Sequence, residues 1–237
     1  MIFDVASSPA EIARLRNQDL GETTAVVFDI LRATSSMVTG FAHGITEIIP
    51  AETIEEARAL QERHPDALLG GERGGVKIAG FDVGNSPLEY CQHSGRRVIT
   101  TTTNGTLALR ACGHAQAVLA AAFLNLEATV AALRKAQPAR VLAVCAGTGD
   151  DAALEDLLAA GALAQAFPEA DLTDAALAAG ALYAQYEHRL LEGFQLSKNG
   201  RALRVKGFTP DVEWCAQLSI YPLVARLKNG VIRAEWI

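Results

Sequence analysis

Residues that could bind a metal ion and a phosphate group follow a short apolar run near the start of the chain. In VVFDILRATSS, Asp29 ends the apolar run and Arg32 comes three residues later, before an apolar helical stretch. A carboxylate can hold Mg²⁺ while a guanidinium binds the same phosphate through two N–H groups, so this spacing is typical of a metal-assisted phosphate site. An ion pair between Asp29 and Arg32, with the following Ser and Thr residues as helix caps, accounts for the same pattern without a function.

A second polar segment, TTTNGT, also joins a predicted strand to a predicted helix. It contains Thr103 and Asn104 directly before the helical pattern begins. Hydroxyl groups and free backbone N–H groups at the start of a helix stabilise an anion. The segment therefore indicates a phosphate contact, although a threonine-rich strand end followed by an ordinary turn and cap fits it equally well.

Glycines surround three charged residues in the segment GGERGGVK. Glu72, Arg73 and Lys77 lie where the glycines would let the backbone approach a ligand closely. The segment is not a P-loop, because it lacks the Gly-x-x-x-x-Gly-Lys spacing. It indicates either a ligand-binding segment with one acid and two bases or a flexible surface loop.

A third strand exit, VCAGTGDDA, contains Gly147-x-Gly149-x-x-Ala152, a form of the dinucleotide-binding fingerprint. Asp150 and Asp151 would place two negative charges where a pyrophosphate should lie, and no strand ending in an acidic residue follows about twenty residues later. We therefore reject a dinucleotide site. The two acids are interpreted as helix caps or as groups that face a metal.

Helical periodicity predicts which acidic residues after this strand face the protein interior and which face away from it. Counted at about 100° per residue from Leu154, Asp150 and Asp151 lie near the inner side of the helix and Glu155 lies on its flank. Asp156 points away from the apolar stripe. As a ligand, Asp156 would need a further layer of the protein to cover it.

Two other phosphatase chemistries fail on the sequence. Cys91 to Arg97 matches Cys-x₅-Arg, but this segment follows a predicted helix and leads into a strand, the reverse of the order that aims N–H groups at a phosphate. The Asp-x-Asp pair of haloacid-dehalogenase-type phosphatases is missing, because Leu31 stands two residues after Asp29.

The elements that must position these residues alternate along the chain. Short runs rich in β-branched and apolar residues predict strands at residues 25–28, 45–49, 97–101, 117–121 and 141–145. A Thr-x-x-Glu capping box at Thr53 opens a helix to residue 64, and Ser86-Pro87 opens another. Residues 152–191 predict two helices, the second beginning near Thr173 or Asp174.

The end of the chain predicts a β-hairpin, residues 223–227 and 231–236, around Lys228-Asn229-Gly230. The Asn-Gly pair suits the positive φ angles of a type I′ turn. Together with the alternating strands and helices, this predicts an α/β fold: a three-layer α/β/α arrangement with a mixed, largely parallel sheet. We expect residues 1–237 to form one domain.

Charge and composition exclude several classes of function. The 21 basic residues are outnumbered by 27 acidic ones, giving a net charge of −6, so the chain lacks the basic footprint of a nucleic-acid-binding protein. No apolar stretch reaches the ~18 residues of a membrane span, and the N-terminus lacks the layout of a secretory signal. The four cysteines contain no Cys-x-x-Cys pair and are interpreted as reduced thiols. We expect a cytoplasmic protein, and ordinary symmetric assembly favours a homodimer.

The motifs together resemble those of the 2-phosphosulfolactate phosphatase (ComB-like) family. They are FDILRATSS, GGERGG followed by GFDVGNSPLEY, TTTNGT, the CAG and LEDLLAAG stretch, and the late GF and DVEWCAQ segments, spanning about residues 25–217. The resemblance implies a Mg²⁺-dependent phosphomonoesterase of coenzyme M biosynthesis on an α/β/α fold. The residues that it carries over to this chain are Asp29, Arg32, Glu72, Arg73, Asn85, Asn104, Glu155 and Asp156.

The residue patterns and this resemblance together suggest roles. The expected catalytic residues are Asp29, Arg32 and Glu72, and the expected Mg²⁺ ligands are Asp29, Glu72, Glu155 and Asp156. The expected contacts with a small anionic phosphorylated substrate are Arg73, Lys77, Asn85, Thr103 and Asn104. The sequence leaves four questions open: another phosphorylated hydroxy acid as substrate, a non-catalytic phosphometabolite-binding protein, attack on phosphorus by a carboxylate or by water, and Asp150 and Asp151 in place of Glu155 and Asp156 as metal ligands.

Overall fold

Eleven strands form one sheet with helices on both sides. The computed structural model describes residues 1–237. The strands are β1 (Ile2–Ala6), β2 (Thr23–Phe28), β3 (Glu47–Pro50), β4 (Leu68–Arg73), β5 (Val76–Lys77), β6 (Arg97–Thr101), β7 (Ala117–Ala121), β8 (Arg140–Cys145), β9 (Asp171–Leu172), β10 (Leu223–Lys228) and β11 (Val231–Trp236).

The helices lie mainly between successive strands. They are α1 (Pro9–Leu15), α2 (Ala33–Ala42), α3 (Ile54–Arg63), α4 (Pro87–Tyr90), α5 (Gly105–Ala111), α6 (Leu126–Ala136), α7 (Leu154–Gln165), α8 (Asp174–Tyr186), α9 (Leu190–Leu196), α10 (Lys198–Val205) and α11 (Thr209–Cys215). Thr53 caps α3 by accepting the N–H of Glu56 at 3.0 Å, as its capping motif predicts. No helix is long and apolar enough to cross a membrane.

The predicted α/β fold with a mixed, largely parallel sheet is confirmed. In sheet order the strands are β5-β4-β6-β3-β11-β10-β7-β2-β8-β1-β9. The C-terminal hairpin is also confirmed, and its turn residues Asn229 and Gly230 have φ angles of 53° and 77°. The hairpin lies in the middle of the sheet, between β3 and β7.

This hairpin separates two parallel groups of strands that run in opposite senses. Three antiparallel pairings in succession, β3 with β11, β11 with β10 and β10 with β7, join the groups. In a flat sheet, the carboxyl ends of β2 and β6 would therefore lie at opposite edges. A twist of about 20–25° per pair over the five pairings from β6 to β2 turns these strands by roughly 100–125°. The two carboxyl ends do meet, since Gly105 after β6 packs directly on Asp29 after β2.

The first half of the glycine-rich segment is the end of the buried strand β4, and Gly74-Gly75 form the turn to the short, exposed strand β5. Gly70 packs so tightly that an added Cβ would lie 2.9 Å from the Tyr90 hydroxyl. At Gly71, whose φ angle is 143°, a Cβ would lie 2.1 Å from the Thr101 carbonyl oxygen. The glycines therefore allow β4 to approach its neighbours closely. Because β4 contains no β-branched residue, its residue pattern does not predict a strand.

The core is built mainly against the central strands. One cluster of 61 buried apolar residues extends from β1 to the hairpin, and a smaller one of eight lies between α3 and the edge of the sheet. Strand β2 is buried at every position. Burial on both faces is the pattern of a central parallel strand covered by helices, and it fixes the position of the loop that follows.

Candidate active site

A cleft of about 270 Å³ lies where β2, β4, β6 and β8 end. Six of the predicted site residues line it: Asp29, Arg32, Glu72, Asn85, Thr103 and Asn104. They come from four separate stretches of the chain: the loop after β2, the end of β4, the segment before α4 and the turn after β6. In open α/β sheets, ligands bind beyond the carboxyl ends of the strands, and this cleft has that position.

Asp29 lies at the floor of the cleft, directly after β2, with 8% of its surface exposed. Its Oδ1 atom accepts the backbone N–H of Ala33 at 3.0 Å, which fixes the carboxylate at the start of α2. The pKa of Asp29 is raised to about 7, chiefly by burial and also by the nearby charges of Glu72 and Glu155, against the opposing Ala33 hydrogen bond. The group is therefore held where a cation would relieve the repulsion.

Glu72, the second carboxylate of the cleft, is fixed by three donors. Its Oε1 atom accepts the backbone N–H of Thr103 at 2.8 Å and the Thr103 hydroxyl at 2.9 Å. Its Oε2 atom accepts the N–H of Gly75 at 2.6 Å. The Thr103 groups that could have met an anion are thus used to orient Glu72 at the junction of β4 and β6.

Arg32 does not pair with Asp29, so the ion-pair interpretation of the spacing between them is wrong. Its Nη1 donates to Asp211 Oδ2 at 2.6 Å, and its Nη2 donates to the Gly75 carbonyl at 2.8 Å. The guanidinium carbon lies 4.3 Å from the centre of the Phe208 ring. These contacts use two of the five N–H groups of Arg32, and the remaining three have no acceptor in the protein.

Asn104 connects the turn after β6 to the loop after β8. Its Nδ2 donates to the carbonyls of Ala146 at 2.9 Å and Gly149 at 2.8 Å, and its Oδ1 accepts the Gly149 N–H at 3.2 Å. Asn85 is different. Its backbone carbonyl accepts the Ser36 hydroxyl at 2.8 Å, while its side-chain amide makes no hydrogen bond within the protein. Asn85 therefore retains donors and an acceptor for a ligand, whereas Asn104 shapes the wall.

Arg73 and Lys77 do not line the cleft. Arg73 donates to the Glu72 carbonyl at 2.7 Å and to the Thr101 hydroxyl at 3.1 Å, so its guanidinium lies along the sheet. Lys77 is exposed, and its Nζ lies 3.4 Å from the Asp82 carbonyl oxygen. Both residues therefore lie beside Glu72 in the chain or in the sheet, but neither presents its charge to the cleft.

Helical periodicity misplaced the acids around α7. Helix α7 begins only at Leu154, so Asp150 and Asp151 precede it and are exposed. Asp151 forms an exposed ion pair with Lys198 at 2.6 Å. The helical angle of about 100° per residue does not hold for Asp150 and Asp151, because these residues are not helical. Helical periodicity also missed that α8 covers the outer face of α7, where Gly161 lies against the Ala179 backbone.

Glu155 and Asp156 are almost completely buried behind the cleft, each with 1% exposure. Asp156 Oδ1 accepts the N–H of Ile30 at 2.8 Å and its Oδ2 accepts the N–H of Gly147 at 2.9 Å. Burial raises the pKa of Asp156 well above its usual range, and the charges of Glu155 and Asp29 act in the same direction. Asp156 thus joins the carboxyl ends of β2 and β8.

Glu155 has the one buried side-chain oxygen without a partner, its Oε2. Burial raises the pKa of Glu155, opposed by hydrogen bonds from its own backbone and from Ser197. An unpartnered carboxylate oxygen beside Asp29 is an atom that a proton or a cation would satisfy. This is an independent sign that the acidic side of the site is incomplete without positive charge.

A magnesium ion fits this donor set in a limited way. No three His, Cys, Asp or Glu side chains are arranged as a metal-binding group, so the four predicted ligands do not form one cage. Magnesium, however, keeps several waters and is commonly held by one or two carboxylates together with substrate phosphate oxygens. Asp29 and Glu72, the two carboxylates that line the cleft, meet that requirement.

Three polar residues of the site were not singled out from the sequence. Asp211 pairs with Arg32, while Asn199 and Lys206 line the cleft from α10 and its end. The available signals were weak: Asp211 lies within the DVEWCAQ motif, and KNGRALRVKG contains four cations and no acid. Neither signal shows which residue faces the cleft, because that depends on how α10 and α11 pack.

An α/β sheet that brings carboxylates and a partly unpaired guanidinium into one cleft defines a protein that handles phosphate esters. Comparison with known proteins agrees. The model of the 2-phosphosulpholactate phosphatase family matches residues 9–230. The chain belongs to this family, whose named members are phosphoric monoester hydrolases, and the resemblance seen in the motifs is confirmed.

Relatives cover nearly the whole chain. A protein of Thermotoga petrophila named "probable 2-phosphosulfolactate phosphatase" is 42% identical over 232 residues, 97% of each chain. A protein of the same name from Caldicellulosiruptor saccharolyticus is 38% identical over 223 residues, 90% of this chain and 92% of its own. One from Deinococcus radiodurans is 39% identical over 213 residues, 87% of this chain and 88% of its own.

Proposed function

We propose that the protein is a Mg²⁺-dependent phosphatase that hydrolyses 2-phosphosulfolactate to sulfolactate and phosphate, the reaction type of coenzyme M biosynthesis. The observation that carries this proposal is the convergence of Asp29, Glu72 and Arg32 in one cleft. Family membership supports the substrate, since the relatives named above are phosphatases for that compound.

In the reaction, the bond between phosphorus and the ester oxygen breaks and a bond from phosphorus to a water oxygen forms. A proton from that water ends on the released alcohol. Asp29 and Glu72 would hold the magnesium ion, which when bound neutralises charge on the phosphoryl oxygens. Arg32 directs unpaired N–H groups to the same oxygens, and its contacts with Asp211 and Phe208 keep the guanidinium in place.

Two routes are compatible with the position of Asp29. The carboxylate either attacks phosphorus itself, forming an acyl phosphate that water then hydrolyses, or orients and deprotonates the attacking water. Rapid quenching during turnover, followed by mass spectrometry of the peptide that contains Asp29, distinguishes them. A phosphate adduct on Asp29 shows the covalent route. The configuration at phosphorus, followed with an oxygen-isotope-labelled chiral phosphate ester, gives the second readout: a single attack by water inverts it, whereas two successive displacements retain it.

The proposal is tested by phosphate release from 2-phosphosulfolactate and a panel of phosphorylated hydroxy acids, with Mg²⁺ and with EDTA. We expect Mg²⁺-dependent release by wild type and its loss in Asp29→Asn. Asp151→Asn is the matched control, because it removes an exposed carboxylate close to the same site. Phosphate release that is insensitive to EDTA would contradict the Mg²⁺ dependence. No release by the folded wild-type protein would contradict the phosphatase activity.

A further inference from the structure

Lys206, at the end of α10, lines the same cleft as Asp29, on the wall that this helix forms. Its Nζ donates to the carbonyl of Gly74, in the turn between β4 and β5. Asn199, near the start of α10, lines the same wall and donates to the carbonyl of Leu31. Both side chains therefore bridge α10 to segments that hold Glu72 and Arg32, and both present polar atoms to the cleft.

The charge of Lys206 is not balanced by the protein. Arg32 and Lys206 are the two cationic side chains that line the cleft, and Arg32 has Asp211 as its partner. Lys206 forms no ion pair, and its contact is with an uncharged carbonyl. An ammonium group with a neutral contact can move to a stronger anionic partner at little cost, because the flexible lysine stem allows it.

The surroundings of Lys206 are positive although the whole chain is negative. Residues 198–206 contain four cations and no acid, against a net charge of −6 for the chain. Arg201 and Arg204 are exposed and form no ion pair, while Lys198 pairs with Asp151. A local positive field beside a cleft raises the concentration of an anionic ligand at its entrance.

The proposed substrate has two anionic groups besides its phosphate, a sulfonate and a carboxylate. The cleft offers the phosphate end Asp29, Glu72 and Arg32, and its one further cation is Lys206, on the same helix as the Asn199 amide. Arg73 and Lys77, which the sequence analysis expects to contact the substrate, lie outside the cleft. A second anionic group therefore needs a different partner.

We propose that Lys206 and Asn199 bind an anionic group of the substrate other than its phosphate, and so select for phosphate esters of acidic compounds. This inference rests on the proposed phosphatase function and specifies its substrate class. Lys206 would exchange its contact with the Gly74 carbonyl for the sulfonate or carboxylate, while the Asn199 amide donates beside it. The site thus separates recognition on the α10 wall from chemistry at Asp29.

Lys206→Met tests the proposal, since it keeps an apolar stem of similar length at an exposed position and should leave the fold intact. We expect kcat/KM for 2-phosphosulfolactate to fall about tenfold, mainly through KM, because the loss of a hydrogen bond between two charged groups commonly has that effect on binding. Asn199→Ala should act in the same direction. Arg204→Met is the matched control, because it removes the same charge from the same helix outside the cleft.

The choice of substrate identifies the group that is bound. An effect of Lys206→Met on 2-phosphosulfolactate but not on 2-phospholactate assigns the sulfonate, and an equal effect on both assigns the carboxylate. Phenyl phosphate, which has no second anion, should be unaffected. The proposal fails if Lys206→Met behaves like Arg204→Met, or if phenyl phosphate turnover falls as much as that of 2-phosphosulfolactate.

Failure of the proposed function gives a different result. Folded wild type would then release phosphate from none of these esters. Calorimetric titration of sulfolactate into wild type and Lys206→Met still decides the binding site in that case. Tighter binding by wild type supports the site, and equal binding or none contradicts it.

Discussion

Arg32 and Asp211, 179 residues apart in the chain, form an ion pair of 2.6 Å with only 2% and 4% of their side chains exposed. The second oxygen of Asp211 accepts the Ser86 hydroxyl at 2.8 Å. The carboxylate thus fixes one edge of the guanidinium from α11, a helix that has no residue in the lining of the cleft. Asp211 is a positioning residue, since it acts on the substrate only through Arg32.

Replacement of Asp211 by Asn should weaken both the fold and the reaction. Removing one charge of a buried pair costs about 3–5 kcal/mol, because the other charge stays buried without compensation. We expect a lower Tm and a lower kcat, with a smaller change in KM, because the reacting phosphoryl group depends on Arg32 more than binding does. Asp211→Glu should restore part of kcat. If Asp211→Asn lowers Tm but leaves kcat unchanged, Asp211 has only a structural role.

Replacement of Gly105 by Ala should lower the activity although it removes no functional group. A Cβ at this position would lie 2.4 Å from Asp29 Oδ2 and 2.8 Å from the Ala33 Cβ, so the carboxylate must move. We expect phosphate release to fall by more than about tenfold. Gly180→Ala is the control, because a Cβ there meets nothing within 4 Å in the interior of α8. That variant should be as active as wild type and slightly more stable, by about 0.5–1 kcal/mol.

The stability of the metal-free protein should fall as the pH rises. The pKa of Asp29 is raised from 3.8 to about 7 in the folded state, chiefly by burial, and burial also raises the pKa values of Glu155 and Asp156. The folded state therefore favours the protonated acids, and their contribution is present below about pH 4 and lost as the pH approaches 7. Thermal unfolding in EDTA should give a higher Tm at pH 5 than at pH 8.

Two comparisons test the source of this pH dependence. Asp29→Asn should reduce the fall in Tm between pH 5 and pH 8, since the amide carries no charge at either pH. Added Mg²⁺ should raise the Tm of wild type more at pH 8 than at pH 5, because protons compete with the cation for Asp29. Equal pH profiles for wild type and Asp29→Asn would show that Asp29 is not the group responsible.

Asp156 and Asp151 should respond very differently to substitution. Asp156→Ala leaves the buried N–H groups of Ile30 and Gly147 without acceptors, at about 1–3 kcal/mol each, and loosens the loops after β2 and β8. We expect a clear fall in Tm by differential scanning calorimetry. Asp151→Ala removes one exposed ion pair, so its Tm should match that of wild type. Similar Tm values for both variants would contradict the joining role of Asp156.

The sequence was sufficient where the signal is local. Strand periodicity, the capping box of α3 and the Asn-Gly turn each depend on neighbouring residues, and they predicted most of the sheet and its hairpin. The predicted polar segments at Asp29, Glu72 and Asn104 also lie in one cleft. Strand β4 was missed, because its glycines serve close packing against β6 and carry no β-strand signal of their own.

Only the tertiary structure decided how these segments meet. The hairpin reverses the strand direction between the two halves of the sheet, yet the carboxyl ends of β2 and β6 meet, where Gly105 packs on Asp29. Helix packing across most of the chain decides that Asp211 pairs with Arg32. It also decides that Lys206 lines the cleft whereas Lys77 does not. Distant contacts of this kind arise from shared burial in three dimensions, so chain spacing does not record them.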